Sequence, residues 1–529
     1  MKKNRKVIAI ILTLLMLAGI VSGCKTTTSV EAPAQDSSVS EATTAPKDKD
    51  TLTMLSAESF TGSWDPTGHT ILANIHVEYI VFDRLVNMDM KTLEISPGLA
   101  TEWKYLEDGV TLELKLREGV KFHDGTDLDA SDVAETIKRF SDKSRVASAW
   151  WAEPILTEVV DNLTVRLKPS SGKPYAPLLN NLCFTPILSS DDIKDEKRLM
   201  NNLNGTGPYK FVKFENEQCD FVANENYWDK PNAAKIKNFI FRYVADPATR
   251  LAALQTGEAD IIERVESEQV PTIKADSNLK YITETAIEQK NLVFKFQVPP
   301  MDNKLLRQAI SYAIDRDTIV KDIMQGYATP SNNFISEVAW AYAPADGFPT
   351  YDPEKAKKLL AEAGYPDGKG LPELTYATSV GFYPKTKEYG EYIVSNLAAI
   401  GIKVKLVPME TASWLDALYQ PKSAHMIDTG WMPPGLEPDL TIGAFYRSPG
   451  QVAFCEIPEL NNILTEESQI TDSKARAEFL KKSVYPMIAE NVPHMTLFNS
   501  VLIYAMRSDV EGFEPTPTSA MPFQKVYFK

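Results

Sequence analysis

The first fifty residues constrain this chain most, because they decide on which side of a membrane the remainder must fold. Four basic residues lie within the first six positions, an apolar run extends from Val7 to Ile20, and Val21-Ser22-Gly23-Cys24 follows. This order is typical of a secretory signal peptide that ends at a lipoprotein processing site. We therefore predict a signal peptide over residues 1–23, with Cys24 as the lipidated N-terminus of an extracytoplasmic protein held at the cell membrane.

An uncleaved anchor helix is the alternative for this leader, and it would place the body of the protein on the same side of the membrane. The apolar run is shorter than the roughly 20 residues that a transmembrane helix needs. Residues 24–50 combine Ser, Thr, Ala, Pro and charged residues without hydrophobic periodicity, which predicts a disordered tether. No later run approaches membrane-spanning length, so we expect attachment through the N-terminus alone.

The charge and the size of the chain limit its partners and its domain organisation. The formal net charge is −15, and it becomes −19 once a leader with four basic and no acidic residues is removed. A phosphate-binding protein needs the opposite sign, so we exclude nucleic acid as a partner. About 480 residues after the tether are too many for one hydrophobic core, which predicts two or three domains.

The cysteines and histidines do not form a metal-binding pattern. Cys183, Cys219 and Cys455 are far apart and lack a Cys-x-x-Cys spacing. At most one disulfide can form among them, and we favour buried thiols. Of the five histidines, only His69 and His76 have a spacing that could place both on one helix face. We expect neither a metal site nor another cofactor.

Helix and strand patterns alternate along the chain, which predicts a mixed α/β protein. The segment from Val110 to Leu116 alternates as a half-buried strand, and Ser131 is the predicted N-cap of a following helix. Asp246-Pro247 predicts another helix start, Asp317 a further N-cap, and Gly401 the end of a helix before a strand.

Catalytic motifs are missing from the sequence. It contains no Gly-x-Ser-x-Gly elbow, no His-Glu-x-x-His, no phosphate-binding loop and no dinucleotide fingerprint. Gly205-Thr206-Gly207-Pro208 lacks a third glycine, and we interpret it as a turn before a strand from Tyr209 to Phe214. We therefore expect no enzymatic activity. The distant alternative is an exported lipoprotein enzyme, which would need an activated nucleophile or a metal-held water.

Motifs along nearly all of residues 51–529 form a recognisable set. They are Ser63-Trp64-Asp65-Pro66, Gly98 to Trp103, Leu116 to Gly125, Asp129 to Val133, Gly205 to Tyr209, Asn226-Tyr227-Trp228, Gly257 to Ile261, Arg307 to Ile310 with Asp315-Arg316, and Lys357 to Gly364. This set resembles the family 5 extracellular solute-binding proteins, the dipeptide- and oligopeptide-binding components of ABC importers. The resemblance is specific for the family and weak for the ligand.

The resemblance implies a two-lobed α/β clamshell of the periplasmic-binding-protein kind, type II, with the extra subdomain of the large cluster C members. Lobe I would comprise residues 51–288 and 497–529, with the extra subdomain at about 80–200, and lobe II would comprise residues 289–496. The solute would lie in the cleft and be enclosed by hinge closure. A monomer of this kind would deliver its solute to the permease subunits of an ABC importer.

The resemblance also implies where the ligand lies. In peptide-binding relatives, an aspartate three residues after a Gly-Trp pair anchors the peptide ammonium, and the corresponding residue here is Pro434 in Trp431-Met432-Pro433-Pro434. A second cleft tryptophan of the relatives corresponds to Thr411. We expect these residues to face the ligand, with an uncharged ligand group beside Pro434, because a buried ammonium without its carboxylate costs several kcal/mol.

Four carboxylates are candidates to replace the missing anchor, and the sequence does not choose among them: Glu58, Glu410, Asp428 and Glu437. A peptide is the favoured ligand. An oligosaccharide, a nickel chelate, glutathione or an opine is the alternative, because relatives bind solutes of these kinds. A surface receptor that signals without import is a further alternative.

Overall fold

The computed structural model describes residues 50–448, 450 and 452–529. The predicted signal peptide, Cys24 and the predicted tether up to residue 49 lie outside the described residues. Within the described residues, no helix combines the length and the apolar character that are needed to cross a membrane.

Helices and strands alternate along the described chain, as predicted. The strands are β1 (Thr51–Ser56), β2 (Val86–Met88), β3 (Ile95–Pro97), β4 (Ala100–Tyr105), β5 (Leu112–Leu116), β6 (Ile155–Asp161), β7 (Thr164–Pro169), β8 (Tyr209–Glu215), β9 (Gln218–Ala223), β10 (Asn238–Tyr243), β11 (Ile261–Ile262), β12 (Leu279–Phe294), β13 (Ala328–Pro330), β14 (Leu374–Val380), β15 (Val404–Glu410), β16 (Met426–Trp431), β17 (His494–Arg507), β18 (Val510–Glu511) and β19 (Tyr527–Phe528). The helices are α1 (Leu72–Val81), α2 (Ala130–Ser141), α3 (Leu178–Asn181), α4 (Ser190–Lys194), α5 (Glu196–Asn201), α6 (Pro247–Thr256), α7 (Val270–Ala275), α8 (Lys304–Ala313), α9 (Arg316–Thr318), α10 (Pro353–Glu362), α11 (Thr386–Ala399), α12 (Thr411–Tyr419), α13 (Asp439–Phe445), α14 (Pro458–Glu467), α15 (Ser473–Phe479) and α16 (Tyr485–Asn491).

An 11-stranded mixed sheet is the frame of the molecule, in the order β15-β14-β16-β12-β17-β11-β1-β10-β9-β8, with β13 paired to β17. At one end, β1 pairs in parallel with β10 and β11. At the other end, β14 pairs in parallel with β15 and β16. Parallel pairs need crossover connections, so each end carries its own helices. We call the end that contains β1 lobe I and the end that contains β14 lobe II.

Two long antiparallel strands join the lobes. β12 has 16 residues and β17 has 14, and they pair from Leu279 opposite Arg507 to Val293 opposite His494. The pairing shifts register between Thr285 and Gln289 and again just after Lys290. Such irregularities bend a strand and re-aim its side chains. The side chains around Glu288 therefore lie at a bend between the lobes.

A four-stranded antiparallel sheet, β4-β5-β7-β6, forms a smaller layer beside lobe I. Leu112, Leu114 and Leu116 of β5 are buried, as the alternating pattern predicts, and α2 packs against β6 and β7. This layer lies within the range predicted for the extra subdomain, about 80–200. The lobe and subdomain boundaries themselves stay predictions.

Two predicted helix caps are wrong by two residues, and for the same reason. The N-cap of α2 is Asp129, whose carboxylate accepts a hydrogen bond from the Ser131 N–H at 2.7 Å. The N-cap of α9 is Asp315, which accepts from the Thr318 N–H at 3.2 Å, so Asp317 lies inside the first turn. In both places an aspartate upstream of the predicted residue already satisfies a donor of the first turn.

The other predicted helix ends are confirmed. Asp246 caps α6 through the Thr249 N–H at 2.7 Å. Gly401 follows α11 with a φ of +92°, and a Cβ there would lie 2.5 Å from the Asp367 carbonyl oxygen. Only glycine combines this backbone conformation with this close approach.

The three cysteines after Cys24 are free thiols. Cys219 and Cys455 are buried, as we favoured, whereas Cys183 is half-buried. Burial raises the pKa of the Cys455 thiol to about 11, which makes it an inert packing group at neutral pH.

Candidate ligand site between the lobes

A buried polar segment of β12, which we call the floor, lies where the crossing strands join the lobes. Its four residues from Glu288 to Asn291 are each 3% exposed or less. Buried polar groups need partners, and a run of four in one strand is uncommon in a core. The side chains that contact this floor come from both lobes, so polar contacts between the lobes are concentrated here.

Arg264, which follows β11 in lobe I, lies between Glu58, which follows β1, and Glu288 of the floor. Its Nη2 is 3.1 Å from Glu58 Oε1 and 3.7 Å from Glu288 Oε2. Burial would raise the pKa of Glu288, but Lys290, Arg264 and a hydrogen bond from Ser500 lower it to about 2. Burial raises the pKa of Glu58, because Arg264 and Lys290 do not fully compensate for it.

Lys290 points from β12 towards lobe II. Its Nζ is 3.1 Å from Glu288 Oε1 and 2.9 Å from the centroid of the Tyr383 ring. Glu288 is thus its ion-pair partner, and burial nevertheless lowers the pKa of Lys290 to about 8. Gly430 makes room for it, because a Cβ there would lie 2.5 Å from Nζ and 2.9 Å from Tyr383 Cε1.

Asp428 of β16 lies in the interior of lobe II. Its Oδ2 accepts hydrogen bonds from the hydroxyls of Tyr389 at 2.7 Å, Thr378 at 2.8 Å and Tyr376 at 3.2 Å. Burial nevertheless raises its pKa to about 6. The residue is fully buried, its Oδ1 has no hydrogen-bond partner among the described residues, and the Lys290 charge favours the ionised form together with the three hydroxyls.

Trp431 ends β16 and pairs with Gln289 of the floor. The ring is half-buried, its Nε1 donates to the Leu440 carbonyl at 3.1 Å, and it packs edge-on against Phe445 with centroids 5.6 Å apart. Met432 is also half-buried and contacts the cores of both lobes. The role of these two side chains in ligand binding stays a prediction.

Pro433 and Pro434 are buried at the contact between the lobes. The Tyr79 hydroxyl of lobe I donates to the Pro434 carbonyl at 3.2 Å. The segment therefore offers lobe I a backbone acceptor, and the side chain at 434 carries no charge.

Glu410 and Thr411 mark the start of α12. Glu410 is exposed and makes no side-chain cap, and Thr411 is half-buried. Neither residue lines the cavity described next, and their predicted contact with ligand stays a prediction.

A cavity of about 320 Å³ opens between the two lobes. Lobe I contributes Tyr105 and Asn180 to its lining, and lobe II contributes Trp340, Glu437 and Arg476. Pockets that hold small ligands commonly have about 300–1,000 Å³, with apolar and aromatic walls and a few polar groups. The cavity meets this description at its small end.

Glu437 is held by Arg476 in a second ion triad. Arg476 Nη2 is 2.6 Å from Glu437 Oε1, and its Nε is 2.6 Å from Glu467 Oε1. Asn180 reaches across from lobe I and donates to Glu437 Oε2 at 2.5 Å. Both Glu437 oxygens are thus occupied, so this carboxylate is already neutralised.

Four residues of this region were not predicted from the sequence: Arg264, Lys290, Tyr383 and Arg476. Lys290 could have been noticed, because it is a charged residue in the same strand as the apolar run Leu292-Val293-Phe294. The other three gave none, because their importance depends on neighbours far away in the chain.

The histidines do not form the pattern that their spacing suggested. His76 lies within α1 whereas His69 precedes it, so the two do not share a helix face. His69 Nε2 is instead 3.3 Å from Glu78 Oε1. Across residues 50–448, 450 and 452–529, no group of three or more His, Cys, Asp or Glu side chains is placed to hold a metal ion.

Known proteins resemble this chain in sequence and in structure. The glutathione-binding protein GsiB of Shigella flexneri serotype 5b is 29% identical over 453 residues, which cover 82% of this chain and 86% of that protein. A dipeptide-binding protein from Pseudoalteromonas sp. SM9913, in complex with Met-Leu, has a TM-score of 0.80 at 24% identity over 90% of this chain and 100% of that chain. The periplasmic binding protein DppA of Helicobacter pylori, in complex with the peptide STSA, has a TM-score of 0.79 at 27% identity, over 90% of this chain and 98% of that one.

These similarities settle the fold and the class of protein. The mixed α/β architecture is the type II two-lobed clamshell of periplasmic binding proteins. Residues 94–452 match the model for bacterial extracellular solute-binding proteins, family 5, whose members are binding proteins of ABC importers. Because this match spans more than half of the sequence, the chain belongs to the family 5 bacterial extracellular solute-binding proteins.

Proposed function

We propose that this protein is a lipid-anchored monomer that captures a peptide or peptide-like solute outside the cytoplasm and delivers it to an ABC permease. The chain would pass from lobe I to lobe II between residues 288 and 289, and return to lobe I between residues 496 and 497. Both positions fall inside the crossing strands β12 and β17, where a small change of bend moves a whole lobe. Cys24 would hold the protein at the membrane.

The cavity between the lobes is the observation that carries this proposal. Trp340 and Tyr105 supply aromatic walls from opposite lobes, and Asn180, Thr471 and Ser473 add polar groups. A peptide group combines amide donors and acceptors with side chains of varied polarity, which suits such a lining. A solute held by both lobes stabilises the closed form, because only that form offers both walls.

Contacts on both sides of the cleft support hinge closure. On one side, the Ala176 N–H of lobe I donates to the Ser468 carbonyl of lobe II at 2.8 Å. On the other side, Lys385 of lobe II pairs with Glu268 of lobe I. These contacts are small and polar, so a solute could shift the balance between open and closed forms.

Native mass spectrometry of protein purified without refolding tests the ligand class, since a co-purified peptide would appear as an added mass. Calorimetry with peptide and sugar panels follows, on the wild type and on Trp340→Ala, with the exposed Tyr351→Ala as the matched aromatic control. We expect peptide binding that Trp340→Ala weakens and Tyr351→Ala leaves unchanged. Binding of sugars, a nickel chelate or an opine, without peptides, would contradict the proposed ligand class.

The membrane anchor has its own test. Cys24→Ala should release the protein from the membrane fraction or leave an uncleaved precursor, because no thiol remains to accept the lipid. A processed Cys24→Ala protein that still sediments with membranes would contradict the lipid anchor.

A further inference from the structure

Three sulfur-containing side chains line one small cavity at the contact between the lobes. Met88, Met90 and Cys183 all belong to the lining of this cavity, whose volume is about 10 Å³. The whole chain has only 15 methionines and 4 cysteines in 529 residues, so chance would place fewer than one of them among nine lining residues. A volume of this size holds about one water-sized sphere. The cavity therefore fits a single atom or ion.

Lobe I supplies all three sulfur atoms. Met88 ends β2, Met90 lies in the turn between β2 and β3, and Cys183 follows α3. These three side chains are half-buried, whereas Cys219 and Cys455 are buried in the core. The sulfur atoms of the cavity are therefore sheltered by protein and still accessible to a small ion.

The other side chains around the cavity are apolar or already paired. Phe184 and Leu436 are apolar, and both oxygens of Glu437 accept hydrogen bonds, from Arg476 and Asn180. An apolar shell limits the access of water to a metal site and disfavours ions that keep their hydration. Sulfur is thus the donor that this cavity offers to an ion.

Sulfur ligands select a particular class of metal ion. Thioethers and thiolates are soft ligands that favour Cu(I), whereas Ca²⁺ and Mg²⁺ prefer oxygen, and zinc sites use cysteine, histidine and carboxylates. One thiolate and one monovalent cation together carry no net charge, which an apolar cavity accepts more readily than the net charge that a divalent ion would leave. The absence of a metal-binding group described above concerns His, Cys, Asp and Glu side chains and does not extend to methionine.

We propose that Met88, Met90 and Cys183 bind one Cu(I) ion. The ion forms one bond to each sulfur atom, and the Cys183 thiol gives up its proton to water as its bond to copper forms. The copper stays Cu(I), so no electron is transferred. Leu436 of lobe II covers the site, and Met88 also lines the larger cavity between the lobes. The site takes a metal ion and does not depend on which solute the larger cavity binds.

Anaerobic titration of the purified, metal-free protein with Cu(I), in competition with a coloured Cu(I) chelator, tests the proposal. We expect one Cu(I) per chain, and native mass spectrometry should show one copper in place of one proton. X-ray absorption should show only sulfur neighbours around the copper. Cys183→Ser, Met88→Leu and Met90→Leu should each weaken the affinity by about 10-fold or more, since even changes beyond the direct ligands of a metal cost that much. Met200→Leu, at an exposed methionine of α5, is the matched control and should leave the affinity unchanged.

The double variant Met88→Leu/Met90→Leu separates a built site from binding by a free thiol. Leucine and methionine have similar volumes, so this variant should fold, and thermal melting establishes that it does. If it binds Cu(I) as tightly as the wild type, the thiol alone holds the metal, and the proposed site is wrong. Less than one equivalent of copper, or a copper shell of oxygen and nitrogen, would also overturn it. Neither result affects the proposed function, because peptide binding is measured on the metal-free protein.

Discussion

Two guanidinium groups in this protein each lie between two glutamates, yet the two triads differ in burial and in the closeness of their contacts. Arg476 approaches Glu437 through two nitrogens, at 2.6 and 3.1 Å, and Glu467 at 2.6 Å. Arg264 approaches Glu58 at 3.1 Å and Glu288 at only 3.7 Å. In the first triad both Glu437 oxygens accept hydrogen bonds, but the buried Glu467 Oε2 accepts none among the described residues. In the second triad Arg264 reaches each carboxylate through a single, longer contact.

The exposure of the carboxylates shows the same difference. The side chains of Glu437 and Glu467 are 1% and 0% exposed, whereas that of Glu58 is 16% exposed. A buried ion pair contributes to stability only when its geometry repays the loss of hydration. We therefore interpret the Arg476 triad as a structural element of lobe II and the Arg264 triad as a looser, partly exposed ion cluster beside the crossing strands.

The largest expected effect concerns stability. Arg476→Met should lower the free energy of unfolding by about 3–5 kcal/mol, because it leaves two buried carboxylates without their cation. Arg264→Met should cost clearly less, since Lys290 still neutralises Glu288 and Glu58 can reach solvent. Urea unfolding of both variants measures the difference. Equal losses would remove the distinction between the triads.

The next effect concerns Trp431, which lies in the segment that connects the two triads. If its ring contacts the solute, Trp431→Ala should weaken binding by about 2–4 kcal/mol, as for a buried aromatic contact. Calorimetry with Ser-Thr-Ser-Ala measures this, and Trp103→Ala in the small sheet is the control. Lower stability with unchanged affinity would mean that Trp431 only packs against Phe445.

The triads should also respond to opposite changes of pH. Burial and the neighbouring carboxylates Asp439 and Glu437 raise the pKa of Glu467 to about 7 against the opposing charge of Arg476, so its contribution to stability is present below about pH 4.5 and is lost as the pH rises through 7. The pKa of Glu288 is lowered to about 2, so its contribution is present above about pH 4.5 and is lost as the pH falls through 2.

Glu467→Gln should remove a stability loss of about 1–3 kcal/mol between pH 5 and 8. Glu288→Gln should instead remove a loss between pH 4.5 and 2, and denaturant titrations across pH test both. A wild type whose stability is flat from pH 5 to 8 would contradict the account of Glu467.

The smallest expected effect concerns closure. Asn180 ties lobe I to the Arg476 triad, so Asn180→Ala should weaken solute affinity by about 1 kcal/mol without unfolding the protein. Small-angle scattering should show a smaller radius of gyration with saturating solute, and the variant should need more solute to reach it. A scattering profile that solute leaves unchanged would indicate a preformed site instead of hinge closure.

Much of the fold could be predicted from the sequence, because its signals are local. Apolar spacing marked β5 and the helices after Asp246 and before Gly401, since a helix or a strand repeats within a few residues. The caps at Ser131 and Asp317 were wrong by two residues, because several polar residues near a helix start can accept the same bond. Family motifs then implied the clamshell, which the structural similarity to known binding proteins confirms.

The candidate site could be predicted only in part. The segment from Trp431 to Pro434 was named from the family motifs, but the sequence left four carboxylates, Glu58 among them, as equal substitutes for the missing anchor. Glu437 is a poor candidate for the anchor because Arg476 already pairs with it. The sequence gives no sign of this pairing, since the two residues are far apart in the chain.

The sequence by itself determined the class of fold, the order of the elements and the family, because these depend on patterns read over short stretches of chain. Only the tertiary structure decided which charges meet. Glu58, Arg264, Glu288 and Tyr383 are separated by up to hundreds of residues, and the crossing of β12 and β17 brings them to one place. The strength of a charge interaction depends on distance and on exclusion of water, and both are properties of the folded arrangement.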